Sequence, residues 1–290
     1  MKIGTLEIPS KLALAPMAGV TDASFRQTCA ELGAGYTCTE LISSKALCYQ
    51  DKKTRGLLAP FPGEHPFAVQ IFGSDPVCMA EAAQIAAELS GADVVDINMG
   101  CPMGKIVNNG DGAALMKDPE KAARIAEAVV KASPVPVTAK FRRGWDMGHL
   151  NAVELAVLLE QAGVTSFHVT LANHSALEDT IPPASHPYFG QPGCFLKFCD
   201  EVRQYTALPL CGVGGLNDPD FVEQQLASGR IQCAAMSRPL LADPDLVNKL
   251  KNGQAAQIHR CVRCNKKCLG GLMAHQGTRC IYDALRAKEA

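Results

Sequence analysis

Short apolar segments alternate with longer Ala-rich segments along almost the whole chain. The longer segments, such as PVCMAEAAQIAAELS and PEKAARIAEAVVKAS, have the length and composition of helices. Strict alternation of strand and helix predicts a parallel sheet, and eight such units are the number that closes a (β/α)8 barrel. The eight predicted strands lie in LALAPMA, YTCTELI, FAVQIFG, VVDINMG, VPVTAKFR, SFHVTLA, LPLCGVGG and CAAMSRP.

The competing architecture is an open, doubly wound α/β sheet. Such a sheet usually carries a G-x-G-x-x-G turn after its first strand, where this chain reads APMAGVTD. The 290 residues are enough for one barrel, because such barrels use about 250 residues. We therefore expect an α/β fold, a TIM barrel over residues 1–250, and a short Cys-rich segment over residues 251–290, where the alternation stops.

The overall charge excludes some modes of binding. The 28 Lys and Arg residues nearly balance the 29 Asp and Glu residues, so the molecule as a whole does not attract nucleic acid or a membrane surface. Any RNA contact must therefore use a local patch. The first residues lack the pattern of a signal peptide, and the sequence contains no long apolar stretch, which predicts a cytoplasmic protein without membrane association. The oligomeric state is left open.

Catalytic barrels place their functional side chains at the carboxyl ends of the strands. Here glycines follow the seventh strand and a Ser-Arg pair follows the eighth, which is where many barrels bind phosphate. Lys140 ends the fifth strand and can offset the negative charge of a reduced flavin, and the amide of Gln70 can contact the edge of a flavin ring. The residues predicted to hold the phosphate of a flavin mononucleotide (FMN) are Gly214, Gly215, Ser237 and Arg238.

The N-terminal half contains several sequence blocks in a specific order. They are LAPMAGVTDASFR, TELISSKAL, PFAVQIFGSDP, DINMGCPMGKIVNNGDGAALMKDP and VTAKFRRGWD. These blocks resemble the dihydrouridine synthases, FMN-dependent enzymes that reduce uridine in RNA. The resemblance covers about residues 10–150 and implies a tRNA substrate.

The resemblance gives Cys101 a role. In the family, the reduced flavin passes hydride to C6 of the uracil ring and the cysteine protonates C5, so Cys101 is expected to be the general acid. A thiol with a pKa of about 8.5 is largely protonated near neutral pH. Asn98 is expected to bind flavin or base. Further residues follow from the same resemblance: Ala15, Pro16 and Met17 on the flavin side, and Lys105 and Arg142 on the substrate side.

The second half departs from that family. The stretch SFHVTLANHSALEDT lacks the arginines of the family's His-Gly-Arg-Thr-Arg block, and the residues from about 160 to 283 are similar to the old yellow enzyme relatives of the 2,4-dienoyl-CoA reductase group. This second resemblance implies that His168 lies near the flavin and His174 on the substrate side. The alternative function is therefore reduction of the activated C=C bond of a small molecule, such as an enoate or enoyl thioester. An accessory electron-transfer subunit is a third alternative, disfavoured by the complete set of acid, flavin and phosphate residues.

Four cysteines cluster near the C-terminus with the spacing C-x2-C-x3-C-x11-C. Four thiols this close together in a reducing compartment predict a soft-metal site, for either zinc or an iron–sulfur cluster. The second resemblance implies a 4Fe-4S cluster that relays electrons to the flavin. The predicted metal ligands are Cys261, Cys264, Cys268 and Cys280.

An external electron donor follows from that cluster. The expected donor is a separate protein, for example one that takes its electrons from NAD(P)H. A basic group near the four cysteines is expected to dock this donor, and it consists of Arg260, Arg263, Lys266, Lys267 and Arg279.

Overall fold

The computed structural model describes residues 1–170 and 177–289 and confirms the predicted barrel. A short antiparallel hairpin of β1 (Lys2–Ile3) and β2 (Leu6–Glu7) precedes it. Eight strands then form one sheet in which every paired neighbour is parallel. They are β3 (Leu12–Leu14), β4 (Thr37–Ser43), β5 (Phe67–Phe72), β6 (Val94–Met99), β7 (Val137–Arg142), β8 (Phe167–Thr170), β9 (Leu210–Gly212) and β10 (Cys233–Met236).

The sheet closes into a barrel because its first strand, β3, is hydrogen-bonded to a neighbour on each side. The last strand, β10, pairs with β3 over three residues. On the other side, the N–H of Leu14 donates to the carbonyl of Tyr36 at 2.9 Å, and the N–H of Gly35 donates to the carbonyl of Leu12 at 3.0 Å. These bonds join β3 to the start of β4. The carboxyl ends of all eight strands therefore surround one mouth.

Helices cover the outside of the barrel, and aspartate residues start several of them. Asp75 and Asp118 each accept a hydrogen bond from a backbone N–H of the first turn, and a proline occupies that turn. The helices are α1 (Ala23–Glu31), α2 (Ser44–Cys48), α3 (Lys52–Gly56), α4 (Pro76–Ser90), α5 (Gly104–Val107), α6 (Pro119–Ala132), α7 (Ala152–Gln161), α8 (Leu177–Thr180), α9 (Leu196–Arg203), α10 (Pro219–Ala227), α11 (Arg238–Ala242), α12 (Leu246–Lys251), α13 (Leu269–Met273) and α14 (Asp283–Glu289). Two short 3-10 helices span Gly112–Lys117 and Ala255–Gln257.

The main core lies between the strands and this helical layer. Ala82, Ala83 and Ala86 on α4 are completely buried, and their small side chains let the helix approach the sheet closely. Phe141 on β7 packs edge-to-face against Phe167 on β8, with ring centroids 5.4 Å apart. No helix in the described part of the chain is long and apolar enough to cross a membrane.

A buried ion pair joins α1 to the loop ahead of β5. The side chains of Arg26 and Glu64 are each 1% exposed. Nε of Arg26 donates to Oε1 of Glu64 at 2.7 Å, and Nη2 donates to Oε2 at 2.9 Å. The other acceptors of Arg26 are the carbonyls of Thr21 and Ala59, and Glu64 also accepts from the hydroxyl of Thr37. Every polar atom of this pair therefore has a partner inside the protein.

Arg263 attaches the C-terminal segment to the loop after β8. Its side chain is 3% exposed, and its guanidinium donates to the carbonyls of Pro182, Phe189, Gly190 and Gln191. In return, the N–H of Ala184 donates to the carbonyl of Arg263 at 3.1 Å. The domain boundary expected at residue 250 stays a prediction, and these bonds show how the residues beyond it are held.

Candidate active site at the barrel mouth

The strand register brings several candidate residues to one level of the barrel. Asn98 on β6 is paired with Lys140 on β7, and Lys140 is paired with His168 on β8. On the other side of β6, Gln70 on β5 is paired with Asp96. Residues far apart in the sequence therefore stand side by side at the ends of four neighbouring strands.

A chain of hydrogen bonds runs through this level and ends at Cys101. The hydroxyl of Thr138 donates to Oδ1 of Asp96 at 2.5 Å, and Nε2 of Gln70 donates to Oδ2 of Asp96 at 2.6 Å. Nδ2 of Asn98 donates to Oε1 of Gln70 at 2.8 Å. Oδ1 of Asn98 accepts from the backbone N–H of Cys101 at 2.9 Å, which fixes the loop that carries the thiol.

The thiol of Cys101 is set up to keep its proton. Burial raises the pKa of Cys101 above its ordinary value, because the thiolate is harder to solvate there. The N–H of Met103 and the charges of Lys140 and Arg142 act in the opposite direction without outweighing burial. Cys101 is therefore a thiol at neutral pH, the form that can donate a proton.

Lys140 and His168 offer polar groups to a ligand. Burial and the neighbouring Arg142 lower the pKa of Lys140, and Asp96 raises it. Lys140 makes no ion pair or hydrogen bond through its ammonium group with the described residues. Burial lowers the pKa of His168 to about 4, and its buried Nδ1 has no hydrogen-bond partner in the part of the chain that the structure describes. Buried polar atoms normally have partners, so Nδ1 of His168 fits a contact with a bound ligand, and the half-buried Lys140 stands beside it in the sheet.

We expect His168 to stay neutral at pH values where most histidines are charged. An ordinary imidazole has a pKa of about 6.5, whereas the pKa of His168 is about 4. On acidification the unfolded chain therefore takes up the proton first. The contribution of neutral His168 to the free energy of unfolding is fully present above about pH 6.5. It falls by up to about 3 kcal/mol as the pH approaches 4.

Urea unfolding of the flavin-free protein and of its His168→Gln variant tests this expectation. The variant should lose less stability between neutral pH and about pH 4, because it lacks the titrating group. An equal loss in both proteins would contradict the neutral state of His168.

Arg142 is less accessible than its expected substrate-side position implies. Its side chain is buried, and burial lowers its pKa to about 10. Nε donates to the carbonyl of Gly100, and Nη2 donates to the hydroxyl of Thr180 at 3.1 Å. Arg142 therefore braces the Cys101 loop and joins it to α8.

The other residues expected around the mouth lie at the rim or cannot be placed. Lys105 is exposed on α5, within the loop that follows β6. The N–H of Ala15 donates to the carbonyl of Met236 at 2.9 Å, and Pro16 and Met17 are half-buried beyond it. His174 lies outside the described residues.

The predicted phosphate residues follow β9 and β10. Gly214 and Gly215 have φ values of +89° and +67°. A Cβ at Gly214 would come within 2.2 Å of the ring of Phe195, so this tight turn accepts only glycine. Ser237 precedes α11, and its side chain forms no capping hydrogen bond within the part of the chain that the structure describes.

Arg238 lies between that region and the four cysteines. Its Nη1 donates to Oδ1 of Asn265 at 2.6 Å and to the carbonyl of Pro182 at 3.1 Å. Burial lowers the pKa of Arg238, while the nearby thiols of Cys261 and Cys268 raise it. Its guanidinium is therefore partly committed to the C-terminal segment.

The four clustered cysteines line one small cavity together with Arg238 and Asn265. Within residues 1–170 and 177–289, no group of three or more His, Cys, Asp or Glu side chains is arranged to hold a metal ion. The backbone N–H of Arg263 donates to the sulfur of Cys261 at 3.4 Å.

The expected basic docking group needs one correction. Lys266, Lys267 and Arg279 are exposed. Arg260 is partly exposed and lies 3.7 Å from Asp218. The expectation is wrong for Arg263, because this side chain is buried and donates to backbone carbonyls.

Asp96 and Thr138 are the residues of this site that sequence reasoning missed. A signal for Asp96 was present. It stands two positions before Asn98 in the apolar strand VVDINM, and residues two apart point to the same side of a strand. Thr138 has no comparable signal, because threonine is common in strands for steric reasons alone.

The chain is similar to proteins of known function. A family model described as dihydrouridine synthase matches residues 13–279. The tRNA-dihydrouridine synthase B of Pseudomonas aeruginosa is 36% identical over 244 residues, which are 84% of this chain and 70% of that protein. The enzyme of the same name from Pseudomonas syringae is 43% identical over 244 residues, 82% of this chain and 68% of that protein. A bilirubin reductase of Clostridium symbiosum is 62% identical over 126 residues, 43% of this chain and 34% of that protein.

Solved structures share the fold. A histamine dehydrogenase from Rhizobium sp. 4-9 superposes with a TM-score of 0.77 at 17% identity and covers 97% of this chain. A 2-naphthoyl-CoA reductase in complex with 2-naphthoyl-CoA gives a TM-score of 0.75, also at 17% identity and 97% coverage. The chain spans 51% and 56% of these two proteins, and about a third of the bilirubin reductase.

Proposed function

Because this chain belongs to the dihydrouridine synthase family, we propose that it is an FMN-dependent oxidoreductase that reduces the C5–C6 double bond of a uracil base in RNA. The observation that carries the proposal is the protonated thiol of Cys101, held at the barrel mouth next to Lys140 and Arg142. A tRNA substrate is supported by the similarity to tRNA-dihydrouridine synthase B. Cytoplasmic location is part of the same proposal.

Cys101 protonates C5 of the ring. Reduction of the double bond adds one hydride and one proton, so the site needs a proton donor that is held in a fixed position. Asn98 holds the backbone of Cys101, and Arg142 holds the carbonyl of Gly100 beside it. The raised pKa of Cys101 keeps its thiol protonated at neutral pH.

The residues around the mouth fit FMN. When bound, FMN would supply the hydride that C6 of the ring receives. Lys140 and Nδ1 of His168 lack hydrogen-bond partners among the described residues and would face its ring system, together with Gln70 and Asn98. The sharp turn at Gly214 and Gly215, with Ser237 and Arg238, would hold the phosphate.

The four C-terminal cysteines are the proposed ligands of an iron–sulfur cluster. They line one small cavity with Arg238 and Asn265, and soft thiolates are ligands of such clusters as well as of zinc. The N–H of Arg263 near the sulfur of Cys261 is the kind of hydrogen bond that tunes a cluster. A 4Fe-4S cluster here would receive electrons from a separate donor protein, which could itself be reduced by NAD(P)H.

Reduction of a small molecule is the second candidate function. It is favoured by the 62% identity to the bilirubin reductase of Clostridium symbiosum over 126 residues. Met103, two residues beyond Cys101, is 54% exposed, so the rim also offers apolar surface. The same thiol would then protonate one carbon of an activated alkene.

A single-turnover experiment distinguishes the two functions. The chemically reduced, anaerobic protein is mixed with unmodified transcript RNA, and the nucleosides are analysed by mass spectrometry. Reoxidation of the flavin with the gain of two hydrogen atoms on uridine would support the RNA reaction. No reaction with RNA, alongside rapid reoxidation by bilirubin or an enoyl thioester, would assign the chain to small-molecule reduction.

We expect the anaerobically purified protein to contain about four irons and four labile sulfides per chain. The double variant Cys264→Ser/Cys268→Ser should lose them, because serine does not replace a thiolate on iron. Cys78→Ser, which changes a cysteine on α4, should keep them. Stoichiometric zinc without iron would contradict the cluster.

A further inference from the structure

We propose that Asp96 is the positioning residue of the proton donor, acting through Gln70 and Asn98. Asp96 is 1% exposed and lies on β6, five residues before Cys101. This inference rests on the proposed function for the role of Cys101, but its structural basis does not depend on the substrate.

The chain of hydrogen bonds between Asp96 and Cys101 has a fixed direction. A carboxylate can only accept hydrogen bonds, and a backbone N–H can only donate them. Between these two ends lie the side-chain amides of Gln70 and Asn98, each of which has one donating and one accepting end.

Only one orientation of each amide satisfies every bond. Nε2 of Gln70 must face Asp96, so Oε1 must face Asn98. Nδ2 of Asn98 must then face Gln70, which leaves Oδ1 for the N–H groups of Gly100 at 3.0 Å and Cys101 at 2.9 Å. The acceptor-only carboxylate of Asp96 at one end and the donor-only N–H groups at the other thus require the same orientation of both amides, and together they hold the loop of the general acid.

Removal of the carboxylate would take away one of the two ends that fix this orientation. With an apolar side chain at position 96, Nε2 of Gln70 loses its buried acceptor, and the contact with Asn98 is left to orient the amide of Gln70. The amide of Asn98 then holds the N–H of Cys101 less firmly. We expect the thiol to become more solvated, which lowers its pKa toward the ordinary value.

Alkylation of Cys101 by iodoacetamide measures this effect without turnover. Protein saturated with FMN is treated over a range of pH, and the peptide containing Cys101 is quantified by mass spectrometry. In Asp96→Leu the midpoint of the alkylation profile should move to lower pH. At a fixed pH below both midpoints, a midpoint lower by one pH unit corresponds to about tenfold faster alkylation, because the thiolate is the reactive form. kcat should fall more than KM rises.

Asp96→Asn separates hydrogen bonding from charge. Its Oδ1 can accept from Gln70 and its Nδ2 can donate to the hydroxyl of Thr138, so the direction of the chain survives. The alkylation profile of Asp96→Asn should match that of the native protein. If this variant behaves like Asp96→Leu, the charge of Asp96 matters rather than its hydrogen bonds, and the proposal is overturned.

Two further variants provide a second test of the chain of hydrogen bonds and a control outside it. Gln70→Met breaks the next link and should shift the profile as Asp96→Leu does, which keeps the test available if Asp96→Leu does not fold. Glu64→Gln weakens the buried ion pair with Arg26, which takes no part in this chain of hydrogen bonds, and should leave the profile unchanged. An unshifted profile in both Asp96→Leu and Gln70→Met would overturn the proposal, whereas failure of the RNA reaction would affect only the substrate.

Discussion

Replacing Cys101 by alanine should slow turnover by a factor of about 10²–10⁴, the usual contribution of a general acid. The donor is lost, and neither Lys140 nor Arg142 is an adequate replacement. Lys140 lies in the strand level below the loop, and Arg142 is engaged with Gly100 and Thr180. FMN should remain bound, because Cys101 is not among its expected contacts. Single-turnover reoxidation of the reduced variant by substrate measures the chemical step directly.

Cys29→Ala is the matched control for this prediction. It makes the same substitution at a cysteine that is completely buried on α1, where burial raises the thiol pKa to about 12. The control should retain turnover within about twofold at a small cost in stability. If Cys101→Ala turns over as fast as Cys29→Ala, the thiol takes no part in the chemistry.

Replacing Arg26 by methionine should lower the free energy of unfolding by about 3–5 kcal/mol. The variant leaves the carboxylate of Glu64 buried, and its remaining donors among the described residues are the hydroxyl of Thr37 and the N–H of Phe61. An unpaired buried charge is among the costliest defects a protein can hold. The loss is large because total stability is only about 5–15 kcal/mol. Urea unfolding followed by circular dichroism measures it.

The double variant Arg26→Met/Glu64→Leu shows whether the defect is the unpaired charge. Removing both charges eliminates the uncompensated group, so the double variant should be more stable than Arg26→Met alone. A double variant that is less stable than the single one would assign the loss to packing instead.

The barrel was predictable because its pattern repeats. Each of the eight apolar segments contains one strand of the barrel. The number of units predicted that the barrel closes, but not the bonds that close it. These include backbone bonds between residues 12–14 and 35–36, which no side-chain pattern encodes.

The candidate site was predictable as a set of strand ends but not as a network. The sequence indicated that Gln70, Asn98 and Lys140 end neighbouring strands. It could not show that Asp96 orients the first two, because that depends on register between strands. Arg142 illustrates the same difficulty: a charged residue at a strand end predicts a group facing the substrate, but this one is buried against backbone carbonyl and hydroxyl groups.

The hydrogen bonds that attach Arg263 to the loop after β8 have a thermodynamic consequence. Its donors bind carbonyls more than 70 residues earlier in the chain, in the connection between β8 and α9. A ligand that stabilises the segment with the four cysteines therefore also stabilises the part of this connection that it contacts. That part lies close to Thr180, which accepts a hydrogen bond from Arg142. Such coupling is reciprocal, so a ligand that orders the connection strengthens binding at the cysteines by the same factor. Binding at the cysteines and order in this connection are thus linked through Arg263 and through Arg238, whose guanidinium also donates to the carbonyl of Pro182.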